Sequence, residues 1–168
     1  MQLKKINKAR YRKHLNIVIV SCIASLLVGS LGIAQLLIFL FPDQEGSHFH
    51  WNLLGVIVSA ITIGAVLNKW RNHPFMAEVT YVWELKQTLN YIARKLPKLN
   101  QAAEEGDVTA MNAMQFSYAG SRFLWQLDDN TLVMDELAIS QAKLDALAAK
   151  HNVTLNADRF EKQDLARF

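Results

Sequence analysis

The sequence predicts an all-α protein: a transmembrane helical hairpin followed by a small helical bundle of about three helices and a short C-terminal segment. Two uncharged apolar stretches near the N-terminus predict the hairpin. Three later segments with an apolar residue at every third or fourth position predict the bundle. The apolar–polar alternation of a half-buried strand is not sustained anywhere, so no sheet competes with this reading.

The hairpin comes first in the chain. Between Leu15 and Phe41 there is no Asp, Glu, Lys or Arg, and between Phe49 and Asn68 there is again none. A helix that crosses the hydrocarbon core of a bilayer needs roughly 20 predominantly apolar residues. Residues 15–41 and 51–68 are therefore read as the two spans. A cleaved signal peptide has an apolar region of only about 7–15 residues and a small-residue cleavage site. Here Ala34-Gln35 is followed by more apolar sequence, so the first stretch reads as an uncleaved anchor. The single Cys22 lies within it, has no second cysteine to pair with, and reads as a small apolar filler.

Charge sets the expected orientation. Residues 1–14 form a basic arm with Lys4, Lys5, Lys8, Arg10, Arg12 and Lys13 and no acid. Lys69 and Arg71 follow the second span, whereas the connector at 42–50 holds Asp43 and Glu45 and no Lys or Arg. Cytoplasmic flanks carry the Lys/Arg excess. The expectation is an inner (cytoplasmic) membrane protein with both termini and residues 69–168 in the cytoplasm and a short periplasmic loop. A Lys/Arg cluster can also mark nucleic-acid binding, but one abutting a span has the simpler topological role, so no nucleic-acid partner is expected. Pro42 and Gly46 suit a tight turn, and Trp51 and Trp70 bracket the second span as interfacial anchors.

Small residues recur at fourfold spacing in both stretches: Ser21, Ser25 and Gly29, then Gly32, and opposite them Gly55 with Ser59 and Ala60 with Gly64. Such residues let helices approach closely in a bilayer. They serve packing of one span on the other, a seam between copies of the chain, or both. Neither stretch holds an ionisable Asp, Glu, Lys or Arg, the usual mark of a transport pathway. The hairpin reads as an anchor.

Past the spans, His73-Pro74 predicts a break and a new helix from Pro74 to about Leu96. Phe75, Val79, Val82, Leu85, Leu89, Ile92 and Leu96 form its apolar stripe, widened by Met76 and Trp83. Pro97 is expected to end or kink it. Gly106 and Asp107 separate it from a helix at about 108–127, rich in Met and aromatic residues and expected to be the most buried of the set. Gly120 within it is expected to admit a close neighbour. After the turn cluster Asp128-Asp129-Asn130, a third helix is expected from Thr131 to Lys150, followed by a polar tail with room for one short helix.

No chemistry-bearing motif emerges: glycine-rich phosphate loops, nucleophile elbows and paired CxxC are absent. His48 and His50, near Asp43 and Glu45, form the nearest approach to a metal-ligand cluster, but their spacing matches no zinc motif. The acidic pairs Glu104-Glu105, Asp128-Asp129 and Asp135-Glu136 point in different directions on helices. No enzyme, cofactor or metal is expected. The partners expected are the lipid bilayer and a protein partner or a second copy. Anionic lipid bound through the juxtamembrane basic residues, and an enzyme with an unrecognised site, are the alternatives.

Four stretches resemble a known family: Arg10 to Leu15 (RYRKHL), Gly32 to Leu37 (GIAQLL), Asn52 to Gly55 (NLLG) and Arg71 to Val79 (RNHPFMAEV). Together they resemble an uncharacterised family of small two-span proteobacterial inner-membrane proteins, a domain of unknown function. The resemblance implies a bacterial inner membrane and assigns no activity and no functional residue. Tyr81 to Lys86 lies in the same region and reads equally well as ordinary amphipathic helix.

Overall fold

The computed structural model describes residues 2–41, 48–130 and 134–168, and it is all-helical, with no strand among them. Two long apolar helices, α1 (Lys8–Leu40) and α2 (Phe49–Trp70), precede a helical bundle of α3 (Ala77–Glu104), α4 (Val108–Asp128) and α5 (Met134–Lys150). Short 3₁₀ turns occupy Pro74–Met76, Ala157–Arg159 and Lys162–Arg167. The chain forms two compact units, residues 7–80 and residues 81–168 together with 1–6.

In the first unit, α1 starts at Lys8, within the expected basic arm. Asn7 explains this start, because its side chain accepts the Arg10 amide at 3.0 Å and caps the helix. Helices α1 and α2 pack antiparallel at small residues. A Cβ added to Gly55 would lie 2.6 Å from the Ser30 carbonyl oxygen, and one added to Gly29 would lie 3.0 Å from Ser59 Oγ. Backbones meet there because no side chain intervenes. Gly32 and Gly64 have nothing within reach, so that part of the small-residue pattern lies off the seam. The connector expected to turn at Pro42 and Gly46 lies outside the described residues.

After α2, His73 caps the next turn by accepting the Phe75 amide through Nδ1 at 3.2 Å, and Pro74 takes the first position of a 3₁₀ turn. Helix α3 then runs through Pro97 to Glu104, further than the expected end at Leu96. Proline removes the amide that would bond the Ala93 carbonyl. Ala93 and Pro97 are both on the exposed side, so water can take that carbonyl. Leu99 and Ala103 beyond it are fully buried and hold the extra turns in place. Trp83 also departs from expectation: it is 52% exposed, on the face opposite the stripe it was expected to widen.

The second unit is built around α4, whose buried residues include Met111, Met114, Phe116, Leu124 and Leu127. Gly120 admits Leu89 of α3, whose methyl would lie 3.0 Å from an added Cβ. Asp107 caps α4 by accepting the Thr109 and Ala110 amides at 2.7 and 3.0 Å. The helix closes at Asp129, which adopts the left-handed conformation (φ 52°). Thr131 to Val133, expected to begin the third helix, lie outside the described residues, and α5 contributes Leu137, Leu144 and Ala148 to the core. The tail is more structured than its polar composition indicated. Phe160 stacks on Phe116 at 4.5 Å between centroids, and Leu165 is fully buried.

Candidate functional site

Three places in the molecule hold features that a helical scaffold alone does not require. The first is a cleft between α1 and α2. Below the tight contact at Gly55, its walls are Ile17, Ser21 and Ser25 of α1 against Ser59, Ile63 and Trp70 of α2, with Phe75 and Met76 also in the lining. Its volume is about 420 Å³. Ser59 is 4% exposed, its Oγ finds no hydrogen-bond partner among the described residues, and it lies 3.0 Å from where a Cβ on Gly29 would stand. Cys22 also lines this cleft, half-buried and unpaired.

The second place is the junction between the start of α1 and the start of α3. Arg10 donates to Glu78 Oε1 from Nε at 2.8 Å and from Nη2 at 2.5 Å. This bond, and the charge of Glu78, push the Arg10 guanidinium further above its ordinary range. Glu78 is 8% exposed, and its second oxygen has no hydrogen-bond partner among the described residues. One turn further along α1, His14 stacks on Phe75 at 4.1 Å. Thr80 donates from its hydroxyl to the Arg71 carbonyl at 3.0 Å, tying the segment back to the end of α2. The arrangement is a clasp of one cation, one buried carboxylate and an aromatic stack.

The third place is the outward face of α3. Trp83, Asn90, Tyr91, Arg94 and Lys98 are all exposed and lie on one side of the helix. At its N-terminal end the Lys4 amide donates to Tyr81 Oη at 2.7 Å, and Tyr81 donates to the Gln2 carbonyl at 3.2 Å. Burial raises the Tyr81 phenol above its ordinary value, and the Lys4 amide partly offsets that shift. Lys86 is turned to Asp128 at 3.3 Å, and Lys95 to the Leu165 carbonyl at 2.8 Å.

Among the described residues, no acid is gathered with the histidines singled out in the sequence. His50 rests against the Trp51 ring at 4.6 Å, and Asp43 and Glu45 lie outside the described residues. Among the described residues no three His, Cys, Asp or Glu side chains come together. Of the acidic pairs, Asp128 faces Lys86, while Glu104 offers its backbone carbonyl to His151 Nε2 at 3.1 Å. The clasp at Glu78 and the seating of Lys4 on Tyr81 were not foreseen. Their partners stand 68 and 77 positions apart, and no local pattern marks such a pairing.

Fold and features together define an all-helical protein with two helices long and apolar enough to cross a membrane, which points to membrane association. The chain belongs to the family described as "Protein of unknown function (DUF3087)", whose model matches residues 1–165. No curated protein and no solved structure matches it.

Proposed function

We propose that this chain is a non-enzymatic, membrane-anchored interaction module. In this reading α1 and α2 span a bacterial inner membrane, and the helical bundle binds a protein partner or a second copy on the cytoplasmic side. The observation that carries the reading is the apolar surface of the two helices. Only 6% of the apolar window of α1 and 11% of that of α2 is buried, and Val28, Phe39 and Ile61 are 74%, 82% and 67% exposed. A core helix of a water-soluble domain is buried against its neighbours, and contiguous apolar surface of this extent is rare on soluble monomers.

Orientation has its own support. Gln2 and Lys4 bond to Tyr81, which supports the reading that both ends of the hairpin face the same side of the bilayer. The Lys/Arg excess at that end supports the cytoplasmic side for both. The exposed Ile139 and Val108 supply apolar contact points on the bundle. Crosslinking in native membranes followed by mass spectrometry tests the reading, with a stoichiometric partner or a homo-oligomer as the expected outcome. Recovery of the chain alone, both there and in detergent-solubilised pull-downs, would count against it.

A further inference from the structure

We propose that the outward face of α3 docks on the surface of an anionic phospholipid bilayer. Two observations carry this. Trp83 and Tyr91, two of the bundle's large side chains, stand 52% and 42% exposed on the face that should be polar. Aromatic rings of this kind are favoured at the headgroup level, where one part is apolar and the other wet.

The same face is basic. Between Trp83 and Lys98, α3 carries Lys86, Arg94, Lys95 and Lys98 against the single acid Glu84. Lys86 and Lys95 are engaged by Asp128 and the Leu165 carbonyl, while Arg94 and Lys98 are exposed on the aromatic face. Lys4 donates its amide to Tyr81 and its ammonium stands 5.9 Å from that ring, on the side of α3 away from Trp83, so it is no part of the docking face. Each Lys or Arg held near an anionic leaflet is worth about a fivefold gain in binding. Cations interleaved with Trp and Tyr fit a headgroup layer better than an apolar protein groove.

The inference rests on the reading that α1 and α2 are embedded in a bilayer, and the test separates the two. Full-length protein with Cys22→Ala and Asn90→Cys carries one environment-sensitive label on the α3 face. It is reconstituted in nanodiscs of phosphatidylcholine alone or of phosphatidylcholine with phosphatidylglycerol. Shielding of the label from an aqueous quencher is expected only in the anionic discs. It should vanish at about 1 M salt, where screening acts within about 3 Å. Arg94→Glu/Lys98→Glu should lower docking by about thirty-fold or more. Equal exposure in both discs overturns the proposal. Equal shielding in both also overturns it, because a protein surface then covers the face. A parallel label at Ile57→Cys on α2 reports on the premise. If Ile57 stays open to the quencher, the membrane reading itself fails; if Ile57 is shielded and position 90 ignores lipid charge, only the docking fails.

Discussion

Gly55 and Gly64 are the same residue on one helix, and the structure makes opposite demands of them. A side chain at Gly55 would strike the Ser30 backbone at 2.6 Å, whereas at Gly64 it would meet nothing. Gly55→Val should therefore pry α1 from α2 at a cost of about 1–3 kcal/mol, and Gly64→Ala should leave their packing intact. Disulfide trapping between cysteines placed at Ser30 and Gly55-adjacent positions, compared across the two variants, reads the difference. Equal trapping in both would show that the seam lies elsewhere. Asp107 carries a different load. It caps α4 and receives Arg167 Nη2 at 3.0 and 2.9 Å on its two oxygens. Both carboxyl and guanidinium are partly exposed, so screening weakens the ion pair and the cap dominates. Asp107→Ala should cost about 1–2 kcal/mol, and Asp107→Asn should recover most of it, as thermal unfolding would show. At Glu78 only the sequence of severity is expected: Arg10→Ala strands a buried carboxylate and should destabilise more than Glu78→Gln.

Among the elements, α3 shows best what a sequence discloses. Its apolar period was legible, and Val82, Leu85, Leu89 and Ile92 are all buried as that period requires. Its end was not legible, because Pro97 is a local signal overridden by burial of Leu99 and Ala103. Restoring the missing amide with Pro97→Ala should raise stability by about 1–2 kcal/mol, measured as a shift in thermal midpoint. A loss instead would mean that the freed Ala93 carbonyl is a structural feature. Helix α4 was legible throughout, since Gly106-Asp107 marks its start and its apolar residues cover more than one face. The C-terminal tail was legible only in part. Few apolar residues interrupt it, yet Phe160 and Leu165 are both in the core, placed there by stacking on Phe116 and by 3₁₀ turns too short to leave a period. The same limit applies to candidate sites: residue types and charge runs could be read, while the clasp and the basic face needed the fold to assemble them.

For the molecule as a whole, two tyrosines set an alkaline limit. Burial raises the phenols of Tyr118 and Tyr81 above their ordinary value of 10.0, which favours the neutral form in the folded state. Their contribution is complete below that value and declines as pH rises above it, because the unfolded chain ionises first. Denaturant unfolding should therefore be flat through neutral pH and weaken above about pH 10, with Tyr118→Phe flattening the decline. The N-terminal seat on Tyr81 has a consequence for assembly. Making that contact closes a loop that contains the whole hairpin; its entropic cost grows only logarithmically with length, but its timing is late. Helices α1 and α2 can form from neighbouring residues, while Gln2 and Lys4 must wait for a tyrosine synthesised long after them. Gln2 and Lys4 are thus placed only after residue 81 has been made. Tyr81→Phe, which cannot accept the Lys4 amide, should speed tryptic cleavage after Lys4 and Lys5. A bulky fusion ahead of Gln2 should do the same, and so disturb a bundle whose other residues begin at position 81.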